Sequence, residues 1–405
     1  MPSISQKINE QMNQVGMLQV VAVERMQIRY PHGLLNLEVS VKEGNVYDYL
    51  EFAARANAKR AFLFVSKVLG KHYPVRPARM QEVHEQLARQ INVSDGPVVF
   101  IGMAETATGL GQGVFEAWQR LHLDRSSMFM HTSRYRTDAA VTLAFEEAHS
   151  HAPVVYLTLP IEENLRTLFE SAKTVVLVDD EQSTGRTLLQ LVEVLRQVMP
   201  SLRQILVSTI ADFMGDERRE AVERALGPTS AVTSLLRGSW CYEGAPAPSN
   251  VGPLASPAVK AISLKDSGYG RLGRKTPLVL SPVWSAEIAT RCQRGKTLVL
   301  GTGEFMHAAF VLGRALEAHG CDVRVQSTTR SPILQWGAVS ASIHVPDAYG
   351  EGVQNYLYNV HPGQYDRILI CHEDGAKGAQ ELALPLGGEL IRFKEGDGVH
   401  DCCFH

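Results

Sequence analysis

The chain lacks what would commit it to a membrane, a nucleic acid or the outside of the cell. No apolar stretch in its 405 residues approaches the roughly 20 that a membrane helix needs. Residues 1–16 are polar and hold no signal-peptide core. Lysine and arginine nowhere gather into a basic run, and the formal net charge is only −3, so neither nucleic acid nor a membrane is an expected partner. Cysteine is scarce: six in all, two of them adjacent at Cys402 and Cys403, which is not the spacing of a disulfide framework. A reducing, cytoplasmic setting fits that usage. Internal repeats and long low-complexity tracts are missing too. What remains is a chain of ordinary apolar content, 45%, long for one domain and comfortable for two.

One stretch dominates what is present. Thr174 to Val178 has high β-propensity and runs straight into Asp179 and Asp180. A short polar loop with Gly185 follows, and then Leu188, Leu191, Val192, Leu195 and Met199 recur at spacings of three and four. The pattern predicts a buried parallel strand, a loop at its carboxyl end and a helix N-terminus. Ligands of open α/β sheets bind outside the carboxyl ends of strands, and a helix N-terminus is an anion site. Ser183, Thr184 and Thr187 add hydroxyl donors, and Gly185 lets the backbone curl around the anion. The two acids stand where they can accept hydrogen bonds from vicinal hydroxyls. Phosphate on the loop and a diol beside the acids describe a ribose 5-phosphate.

This stretch resembles the phosphoribosyl diphosphate (PRPP) motif of type I phosphoribosyltransferases: an apolar strand, two acids, two variable residues and a Ser/Thr-rich Thr-Gly-x-Thr loop. The resemblance implies that Asp179 and Asp180 hold the ribose hydroxyls. It implies that Ser183, Thr184, Gly185, Arg186 and Thr187 hold the 5-phosphate, with Glu181 and Gln182 as the variable pair of the PRPP-binding stretch. Mg²⁺ is the implied cofactor, reached by Asp179 and Asp180 through the ribose hydroxyls or water. The plain alternative is a strand-to-helix turn with an acidic N-cap. Two positions depart from the pattern. Purine-salvage members carry an Asp facing the purine where this chain has Ser183, which argues against a purine acceptor, and Glu181 is polar where many relatives are apolar.

Three further loops fall in order. Ala61 to Val65 reads as a strand leading to Lys67, Lys71 and His72; either these cations meet pyrophosphate or the incoming substrate, or the loop is solvated. Pro97 to Gly102 is a clear strand entering a Gly- and Thr-rich loop. By the resemblance, Ala104, Glu105, Thr106, Ala107 and Thr108 bind the pyrophosphate of PRPP. Ser127 to Met130 opens into His131 to Arg136, where the family carries a mobile loop that closes over PRPP. Arg134 and Tyr135 are the catalytic candidates there, because guanidinium forks match diphosphate oxygens. Glu147, His149 and His151 are substrate-facing or acid–base candidates. A zinc site from the two histidines has no convincing third and fourth ligand nearby, and a solvated helix end is the bland reading. Earlier in the chain, residues 1–25 read as a weakly structured leader and Tyr47 to Ala56 as an amphipathic helix.

Residues 246–275 have linker composition, and the basic Arg271 to Lys275 reads as a solvated turn or as a group reaching the first domain's phosphates. The division expected is a transferase domain at 26–245 and a second, Rossmann-like α/β domain at 276–405, folded units joined by a hinge. Thr329-Arg330-Ser331-Pro332 looks like the signature for which the TRSP domain is named. That domain is similar to the C-terminal partner of a phosphoribosyltransferase branch associated with tellurite-resistance biosynthetic clusters. Thr329, Arg330 and Ser331 directly follow a strand and are substrate candidates. The tail His400 to His405 is either a chelating cluster or a disordered end.

The reading is an α/β protein: a type I phosphoribosyltransferase parallel-sheet domain followed by a Rossmann-like domain. It is expected to displace pyrophosphate from PRPP, with Mg²⁺, onto an unidentified small-molecule acceptor. A PRPP-sensing regulator or scaffold without turnover is the alternative, as is phosphorolytic salvage in reverse. A homodimer is left open.

Overall fold

The computed structural model describes residues 22–55, 60–138, 141–146, 154–244, 268–349, 352–373 and 378–394. Strands β1 (Ala22–Tyr30) and β2 (Gly33–Val41) form an antiparallel hairpin about Pro31 and His32, with Tyr30 opposite Gly33. Next come β3 (Leu50–Ala54) and β4 (Phe62–Ser66), paired antiparallel apart from the main sheet. The helix expected over Tyr47 to Ala56 is therefore not formed. A single 3₁₀ turn covers Val46–Asp48, and Phe52, Ala53 and Ala54 are all buried. Three consecutive buried residues need cover on both faces, which a paired strand provides and a one-sided helix does not.

The remaining strands of the first half are β5 (Val98–Gly102), β6 (Ser127–His131), β7 (Thr142–Glu146), β8 (Val154–Thr158), β9 (Thr174–Gln182), β10 (Gln204–Asp212) and β11 (Ala231–Gly244). The main sheet runs β1-β2-β11-β10-β9-β5-β6, parallel from β11 to β6. All five residues of β5 and all nine of β10 are buried, as parallel strands covered on both faces require. The chain lays β6 on one side of β5 and β9 on the other, so the strand order reverses between β5 and β9. That switch point is where an open α/β sheet leaves a crevice at its carboxyl edge.

The second half contains β12 (Lys296–Gly301), β13 (Asp322–Ser327), the antiparallel pair β14 (Ser342–Val345) and β15 (Asn355–Tyr358), then β16 (Arg367–Glu373) and β17 (Glu389–Phe393). Its parallel sheet has the order β13-β12-β16-β17, with the reversal between β12 and β16.

The two halves are not units on a hinge. Val75 and Met80 belong to the apolar core of the second sheet. Val75 and Val325 exchange backbone hydrogen bonds of 2.9 and 2.8 Å. The helix Pro77–Ala88 packs on the helix His307–Ala318, and Gly313 permits the approach: a Cβ there would lie 2.4 Å from Val325 and 3.1 Å from the Pro77 ring. Of the expected linker, residues 246–267 lie outside the described ones. Residues 268–275 are built in: Arg274 and Phe129 exchange two 2.8 Å backbone bonds, so this segment covers the β6 edge of the first sheet.

Candidate active site

The site is assembled on the β5/β9 switch point. After β9, Gly185 adopts a left-handed φ of 69°, and a Cβ there would stand 2.7 Å from Val222. Glycine therefore meets both a backbone and a space requirement. The helix Arg186–Val198 starts at once and buries Leu188, Leu191, Val192 and Leu195, the stripe expected from spacing. The Gln182 side-chain amide donates to Asp179 at 2.7 Å, and the Asp180 N–H donates to the same carboxylate at 3.0 Å. Across the switch point the Thr106 hydroxyl donates to Asp180 at 2.8 Å. This bond ties the loop after β5 to the acids after β9. Burial pushes the Asp180 carboxyl up, against the hydrogen bonds from Thr106 and the neighbouring groups.

The loop after β5 contains a cis peptide at Ala104–Glu105, and the Ala104 N–H donates to the Thr132 hydroxyl at 2.8 Å. Glu105 meets Lys71 at 2.7 Å and accepts from the Arg330 N–H at 3.3 Å. Burial would raise the Glu105 carboxyl, but Lys71, Arg330 and Arg134 outweigh it and hold the group below the usual carboxylate range. Lys71 is fully buried and also donates to the Gly303 carbonyl at 2.8 Å, so the solvated-loop reading does not apply to it. Lys67, expected with it at PRPP, is turned the other way, donating to the Tyr47 carbonyl at 2.8 Å and standing 3.4 Å from Glu51. The two lysines are four residues apart on a bend, and spacing alone does not orient a bend.

In this structure residues 133–135, in the loop after β6, pack against the second domain. Tyr135 is buried; its hydroxyl donates to Asp347 at 3.3 Å and the Arg330 guanidinium lies 4.2 Å over its ring. Ser133 donates to Glu304 at 2.7 Å, and the Arg134 N–H donates to the same carboxylate. Glu304 follows β12 and Glu373 ends β16, so both stand at the second sheet's own switch point. Arg271 fills that crevice, donating to Glu373 at 2.9 and 3.0 Å and lying 3.5 Å from Glu304. Burial disfavours the Arg271 charge, but Glu373, Tyr349 and Glu304 raise its pKa nonetheless. The reading of Arg271 as a solvated turn residue is thus corrected. Thr329 pairs with Tyr356 through backbone bonds of 3.0 and 2.7 Å, and Ser331 accepts from Arg55 at 3.3 Å. Glu147, His149 and His151 lie outside the described residues, as does the tail.

Two residues at the site escaped the sequence. Arg60 pairs with Glu181 at 2.7 Å, its guanidinium over Phe62 at 4.6 Å and Phe64 at 5.2 Å. Arg218, exposed, donates to the Ser183 carbonyl at 3.3 Å, beside the loop expected to hold phosphate. Each is a single arginine in an unremarkable stretch. Only β4 and the helix Asp216–Leu226 bring them here.

Residues 49–239 match the family model described as phosphoribosyl transferase, and residues 279–387 match that of the TRSP domain C-terminal to it. The chain thus carries a phosphoribosyltransferase region followed by a TRSP region. The transferase also resembles solved adenine phosphoribosyltransferases. That from Rhodothermus marinus has 13% identity and a TM-score of 0.31 over 47% of this chain and 96% of its own. That from Giardia lamblia, complexed with 9-deazaadenine, has 16% identity and 0.32 over 47% and 94%. That from Trypanosoma brucei, in complex with AMP, pyrophosphate and ribose 5-phosphate, has 14% and 0.33 over 46% and 76%. Scores this low add nothing to the family assignment. No curated protein matches the chain in sequence.

Buried histidines give the fold a pH signature. Burial pushes His72 and His84 down to about 3 and His131 to about 4. All three stay neutral in the folded state and bind protons near 6.5 once unfolded. The unfolded chain therefore binds more protons between about pH 4 and 6.5, and stability falls as pH falls through that window. At pH 5 each histidine is expected to cost on the order of 2 kcal/mol relative to neutral pH. Calorimetric melting should give a Tm level above pH 7 and falling steeply below 6; a level Tm down to pH 5 would contradict the burial of these rings.

Proposed function

We propose that the protein transfers ribose 5-phosphate from PRPP to a small-molecule acceptor and releases diphosphate. The observation that carries this is the hydrogen bond from Thr106 to Asp180, which joins the two loops at the switch point beside the left-handed Gly185 turn. In this reading Asp179 and Asp180 hold the ribose diol, and residues 183–187 with the helix amino end hold the 5-phosphate. The loop at residues 104–108, with Lys71 and Arg134, receives the diphosphate. An acceptor atom bonds to the anomeric carbon as the bond to diphosphate oxygen breaks. The electron pair leaves with the diphosphate, and the acceptor's proton passes to solvent. The protein's part is positioning, anion binding and exclusion of water.

Mg²⁺ fits the donor set. Among the described residues no group of three His, Cys, Asp or Glu could hold a metal unaided, while Asp179 and Asp180 offer hard oxygens at the strand end. That is the pattern of an ion held by one or two carboxylates and substrate phosphates, where it offsets charge on the diphosphate. The hydroxyl of Ser183, in place of a carboxylate, supports an acceptor other than a purine. The test is to incubate the protein with PRPP, Mg²⁺ and fractionated metabolite extracts. New ribosylated masses are expected; PRPP binding without any product would favour a sensor.

A further inference from the structure

The loop that should meet the diphosphate has a puzzling composition. Residues 103–108 read Met-Ala-Glu-Thr-Ala-Thr: they contain no cation and one carboxylate. A diphosphate carries several negative charges, so its counter-charges must come from elsewhere. Glu105 marks where they are. Its carboxylate is held by the Lys71 ammonium at 2.7 Å and accepts from the Arg330 backbone N–H at 3.3 Å, while the Arg330 and Arg134 charges act on it through space. The Arg330 guanidinium lies on the ring of Tyr135, next in sequence to Arg134, and is 4.0 Å from Asp347. Lys71 and Arg134 come from the first domain, Arg330 from the second.

We propose that Glu105 stands in for the substrate's diphosphate: the anion displaces this carboxylate from Lys71 and from the Arg330 backbone N–H, and the Arg330 and Arg134 guanidinium groups then bind it, so that the TRSP domain supplies a binding group for the leaving group. This rests on the function proposed above. Four observations support it. Lys71 is fully buried and its partner is a carboxylate on the same loop that faces the ribose acids, so an anion entering from Asp180 reaches Lys71 within one residue of chain. The three cations together favour the ionised form of Glu105 despite its burial, the mark of a positive pocket. Lys71 also holds Gly303, and Thr108 donates to the Glu304 carbonyl at 2.9 Å, so the second domain is fixed against this loop. Finally, Arg271 fills the second sheet's own crevice, and the Arg330 guanidinium lies instead against Tyr135 on the first domain's loop after β6.

The experiment is calorimetry on the full chain with two probes, inorganic diphosphate with Mg²⁺ and ribose 5-phosphate. The wild type is expected to bind both. Arg330→Gln should weaken diphosphate at least about tenfold, the scale of one charge-assisted hydrogen bond, and leave ribose 5-phosphate within about twofold. Arg330→Lys should fall between, since a point charge replaces a fork. Glu105→Gln should tighten diphosphate several-fold, because no carboxylate then competes for Lys71. If Arg330→Gln does not fold, as judged by melting, Glu105→Gln decides alone. Diphosphate binding unchanged in Arg330→Gln, or weakened or unchanged in Glu105→Gln, overturns the inference. A wild type that binds ribose 5-phosphate but is indifferent to diphosphate overturns it too and leaves the ribose-phosphate site standing. A wild type that binds neither probe removes the underlying reading as well.

Discussion

Asp179→Asn combined with Asp180→Asn is expected to lower PRPP affinity at least about a hundredfold, with the fold intact. Each carboxylate hydrogen bond to a ribose hydroxyl contributes roughly 1.5–3 kcal/mol, and two are lost together. The substitutions keep shape; the amide at 180 retains an oxygen to accept from Thr106, and that at 179 retains one for either Gln182 or the residue-180 N–H, which both bond the carboxylate now. Burial already disfavours the Asp180 charge, so a neutral amide there removes a destabilising group from the empty site. The measurement is calorimetric titration with PRPP and Mg²⁺ beside a thermal melt of the same sample. Equal affinity in wild type and variant would remove the ribose assignment.

Arg271→Met should have the largest effect on stability, a loss of about 3–5 kcal/mol, because it leaves buried carboxylates without their counter-charge. Arg271 donates twice to Glu373 and approaches Glu304, and both acids are buried at the second sheet's switch point. Glu304 in turn accepts from Ser133 and Arg134, so the variant should loosen the contact between the domains as well as the second core. Adding Glu373→Gln and Glu304→Gln should recover much of the loss, since an unpaired buried charge costs more than a neutral amide. Denaturant unfolding of the single and triple variants tests this. A single variant within about 1 kcal/mol of wild type would mean the cluster is dispensable.

What the sequence made legible was local. The strand, the two acids, the Thr-Gly-x-Thr loop and the helix stripe from Leu188 to Leu195 lie within a few turns of chain, and each is set by propensity, spacing and one left-handed glycine. The loop after β5 was legible for the same reason. The composite centre was not. Arg271 and Glu373 are 102 residues apart, and Arg330 and Glu105 225 apart, so neither pairing leaves a mark on its own neighbourhood. Lys67 and Lys71 share a bend whose direction is set by Gly303 and Tyr47, residues that only folding brings near. The burial of Tyr135 was not legible either, because Asp347, Tyr349 and Arg330, which cover it, are far away in sequence. The Pro- and Gly-rich stretch suggested a hinge, whereas Val75 and Met80 had already joined the second core.

The central claim is displacement at the anomeric carbon of PRPP in a site that both domains line. Its most direct measurement is phosphorus NMR of PRPP incubated with Mg²⁺, the full chain and an acceptor-containing extract fraction. The account predicts that the diphosphate ester signals of PRPP give way to inorganic diphosphate and a new phosphomonoester in equal amounts, only when that fraction is present, and that the Asp179→Asn, Asp180→Asn variant shows neither. PRPP signals unchanged across all fractions, or diphosphate released at the same rate by the double variant, would contradict it.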